Sequence, residues 1–285
     1  MILSDGLFLI LAMACSASMA VVMRLFRASG NNRYGMILGN YLTCTAVGFL
    51  LIDDHSVLLH AHAATYICGI IGGFLFVLSL VCIQSGIALS GAILTSAFSK
   101  LGLLVPLLLS IVIFHETPTL LQTAGLAAVL ASFLIMNGSA KETGNMHLLF
   151  LIIVLITNGM SDSMAKIYSS VGVHAEETVY MFLVFAAAAV LTVFLLKAET
   201  AKTGKKADRK DLAAGILIGI PNYFSSVFLL RALLTIPAVI AYPVFSTGTI
   251  LIVTAVSFFL FHERLSRRQI AGLCLILVSL ILLNL

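Results

Sequence analysis

The chain is an almost unbroken succession of apolar stretches, each about as long as a bilayer is thick. A hydrocarbon core needs roughly 20 apolar residues per helix. Cutting at polar or turn-rich breaks leaves ten such stretches: 5–23, 34–52, 65–84, 88–114, 120–137, 147–168, 178–196, 212–233, 237–261 and 269–285. The breaks carry turn residues, among them Ser29-Gly30-Asn31-Asn32, Asp53-Asp54-His55, Thr117-Pro118-Thr119 and Gly138-Ser139. Only 203–210 reads as a fully solvated loop. Hydrophobic residues make up 61% and charged residues 10%, against about 45–50% and about 25% in ordinary globular chains. Too few charges remain to cover a soluble surface of 285 residues. The chain therefore reads as a multi-pass protein of the cell membrane, with the lipid bilayer as its surroundings. Disorder and a large polar catalytic domain are excluded, and the net charge of +4 speaks to topology and not to a nucleic-acid partner.

Two smaller features support that class. Cys15, Cys44, Cys68, Cys82 and Cys274 all fall in apolar runs without metal-ligand spacing, so they read as small packing residues. The N-terminus lacks the basic start of a signal peptide, and its apolar run is expected to be a retained first span.

The ten stretches repeat. Shifting the chain by 147 positions lays 98–137 on 245–284 with thirteen identities. These are Phe98/Phe245, Ser99/Ser246, Ser110/Ser257, Phe114/Phe261, His115/His262, Glu116/Glu263, Gln122/Gln269, Ala124/Ala271, Gly125/Gly272, Leu126/Leu273, Leu130/Leu277, Ser132/Ser279 and Asn137/Asn284. Apolar bias produces chance Leu and Ala matches, but not Phe-His-Glu and Gln-x-Ala-Gly-Leu in one register. A duplicated unit of five spans, an odd number, must have its second copy inverted in the membrane. The expected fold is an all-α membrane protein with ten transmembrane helices in two inverted five-helix repeats, residues 1–140 and 141–285. Inverted repeats are the architecture of secondary transporters, with substrate held near the bilayer midplane.

Positive charge is partitioned in the same way. The loops after the first, fifth, seventh and ninth stretches hold Arg24, Arg27, Arg33; Lys141; Lys197, Lys202, Lys205, Lys206, Arg209, Lys210; and Arg264, Arg267, Arg268, thirteen of the 16 basic residues. The alternate loops hold none, and Lys100, Lys166 and Arg231 lie within spans. Basic loops stay cytoplasmic, so both termini are expected to be extracytoplasmic.

An apolar helix ending in Phe-His-Glu, a short turn, then Gln-x-x-Ala-Gly-Leu occurs here as His115-Glu116…Gly125 and again as His262-Glu263…Gly272. This resembles the EamA-type signature of the drug/metabolite transporter superfamily. The resemblance implies ten helices in two inverted halves, moving small metabolites or drugs by alternating access without a cofactor.

A charge inside a span costs about 2.5–3.5 kcal/mol on insertion scales, so each one needs a reason. Lys100, in Ser96-Ala97-Phe98-Ser99-Lys100, corresponds through the repeat to Thr247, in Phe245-Ser246-Thr247-Gly248. Both segments are rich in small polar residues, which makes Lys100, Ser99, Thr247 and Ser246 candidate substrate-binding residues. Lys100 either attracts an anionic or zwitterionic substrate or is a structural lysine, neutralised by Asp162 or snorkelling. Asp162 and Lys166, four residues apart on one helical face, are candidates for proton coupling or a structural ion pair. Arg231 is a candidate gate, with snorkelling as the alternative. Pro221-Asn222-Tyr223 and Ala241-Tyr242-Pro243 are expected to interrupt their helices, exposing Asn222, Tyr223 and Tyr242 to substrate or producing packing kinks; Asn40 and Tyr41 join them from the second span. Glu116 and Glu263 are expected to cap or anchor loops. His55, His60 and His62 beside Asp53 and Asp54 form a polar loop that could hold a metal, with no metal the default expectation.

These residues point to a non-enzymatic secondary transporter of a small polar or amphipathic metabolite. A lipid-carrier flippase of the same fold, or an integral-membrane enzyme, are the alternatives. A coupling proton, and whether the protein is a monomer or homodimer, stay open at this point.

Overall fold

Apolar segments with no water to satisfy their backbone must close their hydrogen bonds internally, and helices do so within one segment. The computed structural model describes residues 2–25, 34–90, 92–137, 145–262 and 267–283, and among these every regular element is helical. The helices are α1 (Ile2–Leu25), α2 (Tyr34–Leu50), the short α3 (Val57–His60), α4 (Ala63–Ser90), α5 (Ala92–Leu101), α6 (Leu104–Val112) and α7 (Leu120–Asn137). Then follow α8 (Asn145–Val171), a 3₁₀ turn (His174–Glu176), α9 (Glu177–Thr203), α10 (Arg209–Ala232), α11 (Ala238–Phe261) and α12 (Arg267–Leu283). Among the described residues, five helical segments are long and apolar enough to cross a membrane: Ala63–Ser90, Leu148–Val171, His174–Thr203, Arg209–Ala232 and Ala238–Leu260. Shorter apolar helices accompany them, including Tyr34–Leu50 and Leu120–Ile135. The sequence motif residues Arg27, Arg33, Lys141, Glu263 and Arg264 lie outside the described residues.

The helices gather into two compact units, each drawing on both halves of the sequence. One comprises Met1–Val77 and Ile167–Ala232, the other Leu78–Lys166 and Leu233–Leu285.

In the first unit, α2 packs on α10 through glycine. A β-carbon on Gly39 would overlap the Leu212 carbonyl, and one on Gly215 would overlap the Met36 carbonyl and meet Asn40 N. Gly35 lies against Ala207 and Gly48 against Tyr223, so contacts advance in the same direction along both helices and the pair is parallel. Helix α9 runs the other way, since the late α2 residue Gly48 also meets the early α9 residue Phe182. Phe185, fully buried, centres an aromatic cluster with Tyr41, Phe76 and Tyr223 at 5.9–6.3 Å. Because backbone meets backbone at Gly215, Gly215→Ala is expected to force the helices apart. Overpacking of this kind costs about 1–3 kcal/mol, which a thermal denaturation of purified protein would register as a large drop in midpoint; an unchanged midpoint would contradict the packing.

In the second unit, Leu103, Leu107, Leu126, Val129, Phe133, Val239 and Leu283 form the buried core. Helices α7 and α12 pack antiparallel, as Gly125 near the start of α7 meets Leu282 and Leu283 at the end of α12. Residues matched by the 147-residue shift share local geometry here. His115 and His262 both adopt left-handed backbone, with φ of 54° and 53°. Ser132 and Ser279, both fully buried, each donate to the carbonyl three residues back, at 2.6 and 2.7 Å.

Two expected interruptions are corrected. Helices α10 and α11 continue through Pro221 and Pro243. The break falls instead at Gly102–Leu103, dividing the fourth apolar stretch into α5 and α6. Pro106 accounts for it: a proline cannot donate to the carbonyl four residues earlier and its ring crowds that carbonyl, which here belongs to Gly102. In the first turn of α6 the missing N–H costs nothing. Gly102 also admits α8, since β-carbons on Gly102 or Gly159 would collide with the facing backbone.

Candidate functional site

The broken helix brings polar residues of α4, α5, α8 and α11 together in the second unit. Lys100 occupies the last turn of α5, where the helix dipole favours a cation. Its charged neighbour is Asp162 of α8, and the reverse holds. Both side chains are exposed, and no ion pair within 4 Å joins them among the described residues. They act on one another at longer range.

Asn158, one helical turn before Asp162, organises the cluster. Its Nδ2 donates to the Ser99 carbonyl at 3.0 Å and lies 3.5 Å from Asp162 Oδ2. Its Oδ1 accepts from Ser79 Oγ at 3.0 Å. Ser99 thus contributes its carbonyl, at a point where the α5 ladder is ending. Tyr242 of α11 donates its hydroxyl to the Asp162 backbone carbonyl at 2.6 Å, holding the α8 turn that carries the acid. Thr247 is fully buried and returns its hydroxyl to the Pro243 carbonyl at 2.6 Å; Ser246 beside it is half-buried. Asn158 and Ser79 escaped the sequence reading, although Asn158 lies four residues before Asp162 on the same face.

Lys166 takes part in a different arrangement. Its Nζ pairs with Glu116 Oε1 at 2.7 Å and lies over the Phe114 ring. Glu116 also accepts the Ala238 and Val239 amides, both at 3.1 Å, which are donors at the start of α11. A carboxylate at a helix N-terminus satisfies amides that have no partner within the helix. Partial burial would raise the Glu116 carboxyl, but these three donors outweigh it and hold it below its ordinary value. The capping role expected of Glu116 is what the structure shows.

In the first unit, Asn222 Nδ2 donates to Asn40 Oδ1 at 3.1 Å, and Cys44 Sγ contacts the Gly219 carbonyl at 3.2 Å. Tyr41 and Tyr223 are buried in the aromatic cluster. A separate cavity of about 300 Å³ opens at the α10 C-terminus, lined by Asp53, Glu177, Met181, Tyr223, Phe228 and Arg231 among others. Arg231 Nε lies 3.5 Å from Glu177 Oε2 and its guanidinium over Phe8. A second carboxylate anchor, Glu176, accepts from His62 N at 3.0 Å and from Thr65 Oγ1 at the start of α4. Among the described residues no group of three metal-ligating side chains forms, and His62 is held by Glu176 at 2.6 Å.

Residues 178–276 match the family described as Small Multidrug Resistance protein. The match covers about a third of the chain, from α9 into α12. That family is drug/metabolite transporter-like and is one of membrane transporters, not enzymes. No curated protein matches the chain. A solved structure titled "Crystal structure of protein" is similar at a TM-score of 0.78 and 14% identity, covering 99% of this chain and 97% of the other. At that identity the likeness concerns the fold.

Proposed function

We propose that the protein is a secondary-active transporter moving a small polar or amphipathic metabolite with an anionic or zwitterionic group across the cytoplasmic membrane. The observation that carries this reading is the exposed, unjoined pair Lys100 and Asp162 beside a broken helix. Ionisable side chains at membrane depth mark substrate or proton pathways, and interrupted helices expose backbone to substrate in transporter sites. Lys100 receives the substrate's negative group, Asn158 orients the site, and Asp162 takes an ammonium of a zwitterion or a coupling proton. Lys166 acts through Glu116 on the α11 N-terminus, and Arg231 with Glu177 forms a gate at the rim of the first unit's cavity.

The architecture we propose is ten spans in two inverted repeats, 1–140 and 141–285, of EamA type. Support comes from the antiparallel packing of α2 on α9 and of α7 on α12, each a pair of repeat-equivalent helices. The matched left-handed histidines and the similarity of 178–276 to a transporter family add to it. The thirteen basic residues on alternate loops favour both termini outside. A C-terminal fluorescent reporter that matures only in the cytoplasm should stay dark, and an alkaline phosphatase fused there should be active; the reverse pattern rejects the orientation.

The functional test is a thermal-shift screen of purified protein against a metabolite library, followed by counterflow of stabilising compounds in proteoliposomes. Compounds bearing a carboxylate or phosphate should stabilise the protein and exchange across the vesicle membrane. Exchange of lipid analogues alone would overturn the metabolite reading in favour of a flippase.

A further inference from the structure

The end of α9 and the segment after it form a second built surface, remote in chemistry from the charged pair of α5 and α8. Helix α9 has 27 residues, about 40 Å at 1.5 Å per residue, against roughly 30 Å of hydrocarbon. Its last turns therefore stand in the headgroup layer. They end on Gly204, whose left-handed φ of 71° and N–H bond to the Thr200 carbonyl at 2.8 Å close the helix and turn the chain back. The turn makes a groove of about 490 Å³, lined by Leu196, Lys197, Thr200, Ala201, Lys206 and Ala207.

The lining has two chemistries. Leu196, Ala201 and Ala207 give an apolar wall, and Lys197 and Lys206 bring exposed ammonium groups to it. Lys202, Lys205, Arg209 and Lys210 are exposed around the groove, and the acids Glu199, Asp208 and Asp211 offset only three of these six cations. A small soluble anion would use the ammonium groups and leave the apolar wall wet. An anionic phospholipid satisfies both, with its phosphate at the lysines and its glycerol and upper acyl carbons along the wall. Juxtamembrane clusters of Lys and Arg attract anionic lipids in this way.

We infer that the groove of Lys197, Lys206 and the α9 terminus is a binding site for an anionic phospholipid headgroup. The site stands independently of which solute the protein moves. Each lysine contributes about a fivefold gain in affinity, so removing both weakens binding about twenty-five-fold.

The full chain, purified in a neutral detergent, is titrated with dioleoylphosphatidylglycerol, dioleoylphosphatidylcholine or inorganic phosphate while thermal stability is followed. Phosphatidylglycerol should raise the unfolding midpoint, with an effect that shrinks in high salt; phosphatidylcholine and phosphate should leave it unchanged. The double variant Lys197→Gln/Lys206→Gln should keep the lipid-free midpoint and need about twenty-five-fold more phosphatidylglycerol. The control Lys205→Gln/Lys210→Gln removes the same charge from outside the groove and should lose clearly less affinity than the groove pair. Equal stabilisation by phosphatidylcholine or by phosphate, or equal losses in the two double variants, would overturn the proposal. Should Lys197→Gln/Lys206→Gln fail to fold, the single variants Lys197→Gln and Lys206→Gln carry the test, each with an expected fivefold loss.

Discussion

Replacing Lys100 with methionine should lower substrate binding and transport tenfold or more while leaving expression and thermal stability near those of the wild type. Methionine keeps the length of the stem and removes the ammonium. The group lost is exposed, at the end of α5, and held in no ion pair within 4 Å among the described residues, so its removal breaks no direct contact and takes from Asp162 only a longer-range opposite charge. A substrate carboxylate or phosphate held there makes charge-assisted hydrogen bonds worth roughly 1.5–3 kcal/mol, and each 1.4 kcal/mol is a decade of affinity. The companion change Asp162→Asn removes the opposite charge and keeps the shape. It should abolish dependence on a proton gradient if Asp162 is the coupling group, and it should weaken zwitterions more than simple anions. Normal transport by Lys100→Met would remove the charge-recognition reading altogether.

Glu116→Ala should destabilise the protein by about 2–4 kcal/mol, in contrast, without reporting on any ligand. One carboxylate holds the Lys166 ammonium and two amides of α11. Removing it leaves a largely enclosed ammonium and two backbone donors unsatisfied, and charged hydrogen bonds of this type contribute about 1.5–3 kcal/mol each before solvent screening reduces them. Glu116→Gln retains an acceptor and should cost less. The pH dependence has a definite sign. The folded carboxyl lies below its ordinary value of 4.5, so its contribution is complete above the ordinary carboxylate range and is lost as pH falls through the lowered folded value. Denaturation midpoints of wild type and Glu116→Gln should differ most near neutrality and converge in acid. A constant difference across that range would show that the carboxylate's charge is not what holds α11.

The helical class was legible because bilayer length, apolar composition and helix geometry all act on a scale of about twenty residues. The Phe-His-Glu motif likewise announced a structural role, and His115 with Glu116 forms a left-handed turn that delivers a carboxylate to α11. Proline was read less well. Pro221 and Pro243 stand out beside Asn222, Tyr223 and Tyr242, yet their helices continue, whereas Pro106, flanked only by aliphatic residues, sets the break beside Lys100. A proline's local rule states which bond is lost; whether the helix bends or ends depends on neighbours such as Gly159, which lets α8 approach the freed turn. Asn158 was illegible for a related reason. Its role depends on Ser79 and Ser99, far away in sequence, and nothing in an isolated Asn distinguishes a bridging amide from a packing one. The Lys166–Glu116 pair joins residues fifty apart, so helical spacing, which directed attention to Asp162, was the wrong ruler for it.

The glycine contact of α2 with α10 bears on what is able to move. With Gly39 and Gly215 touching backbone to backbone, neither helix can slide past the other without driving a carbonyl into an α-carbon. The pair behaves mechanically as one thick strut. The second unit has its own contact of this kind, where Gly102 at the α5–α6 joint meets Gly159 of α8. That contact ties the end of α5, and with it the Lys100 backbone, to the α8 face that carries Asp162.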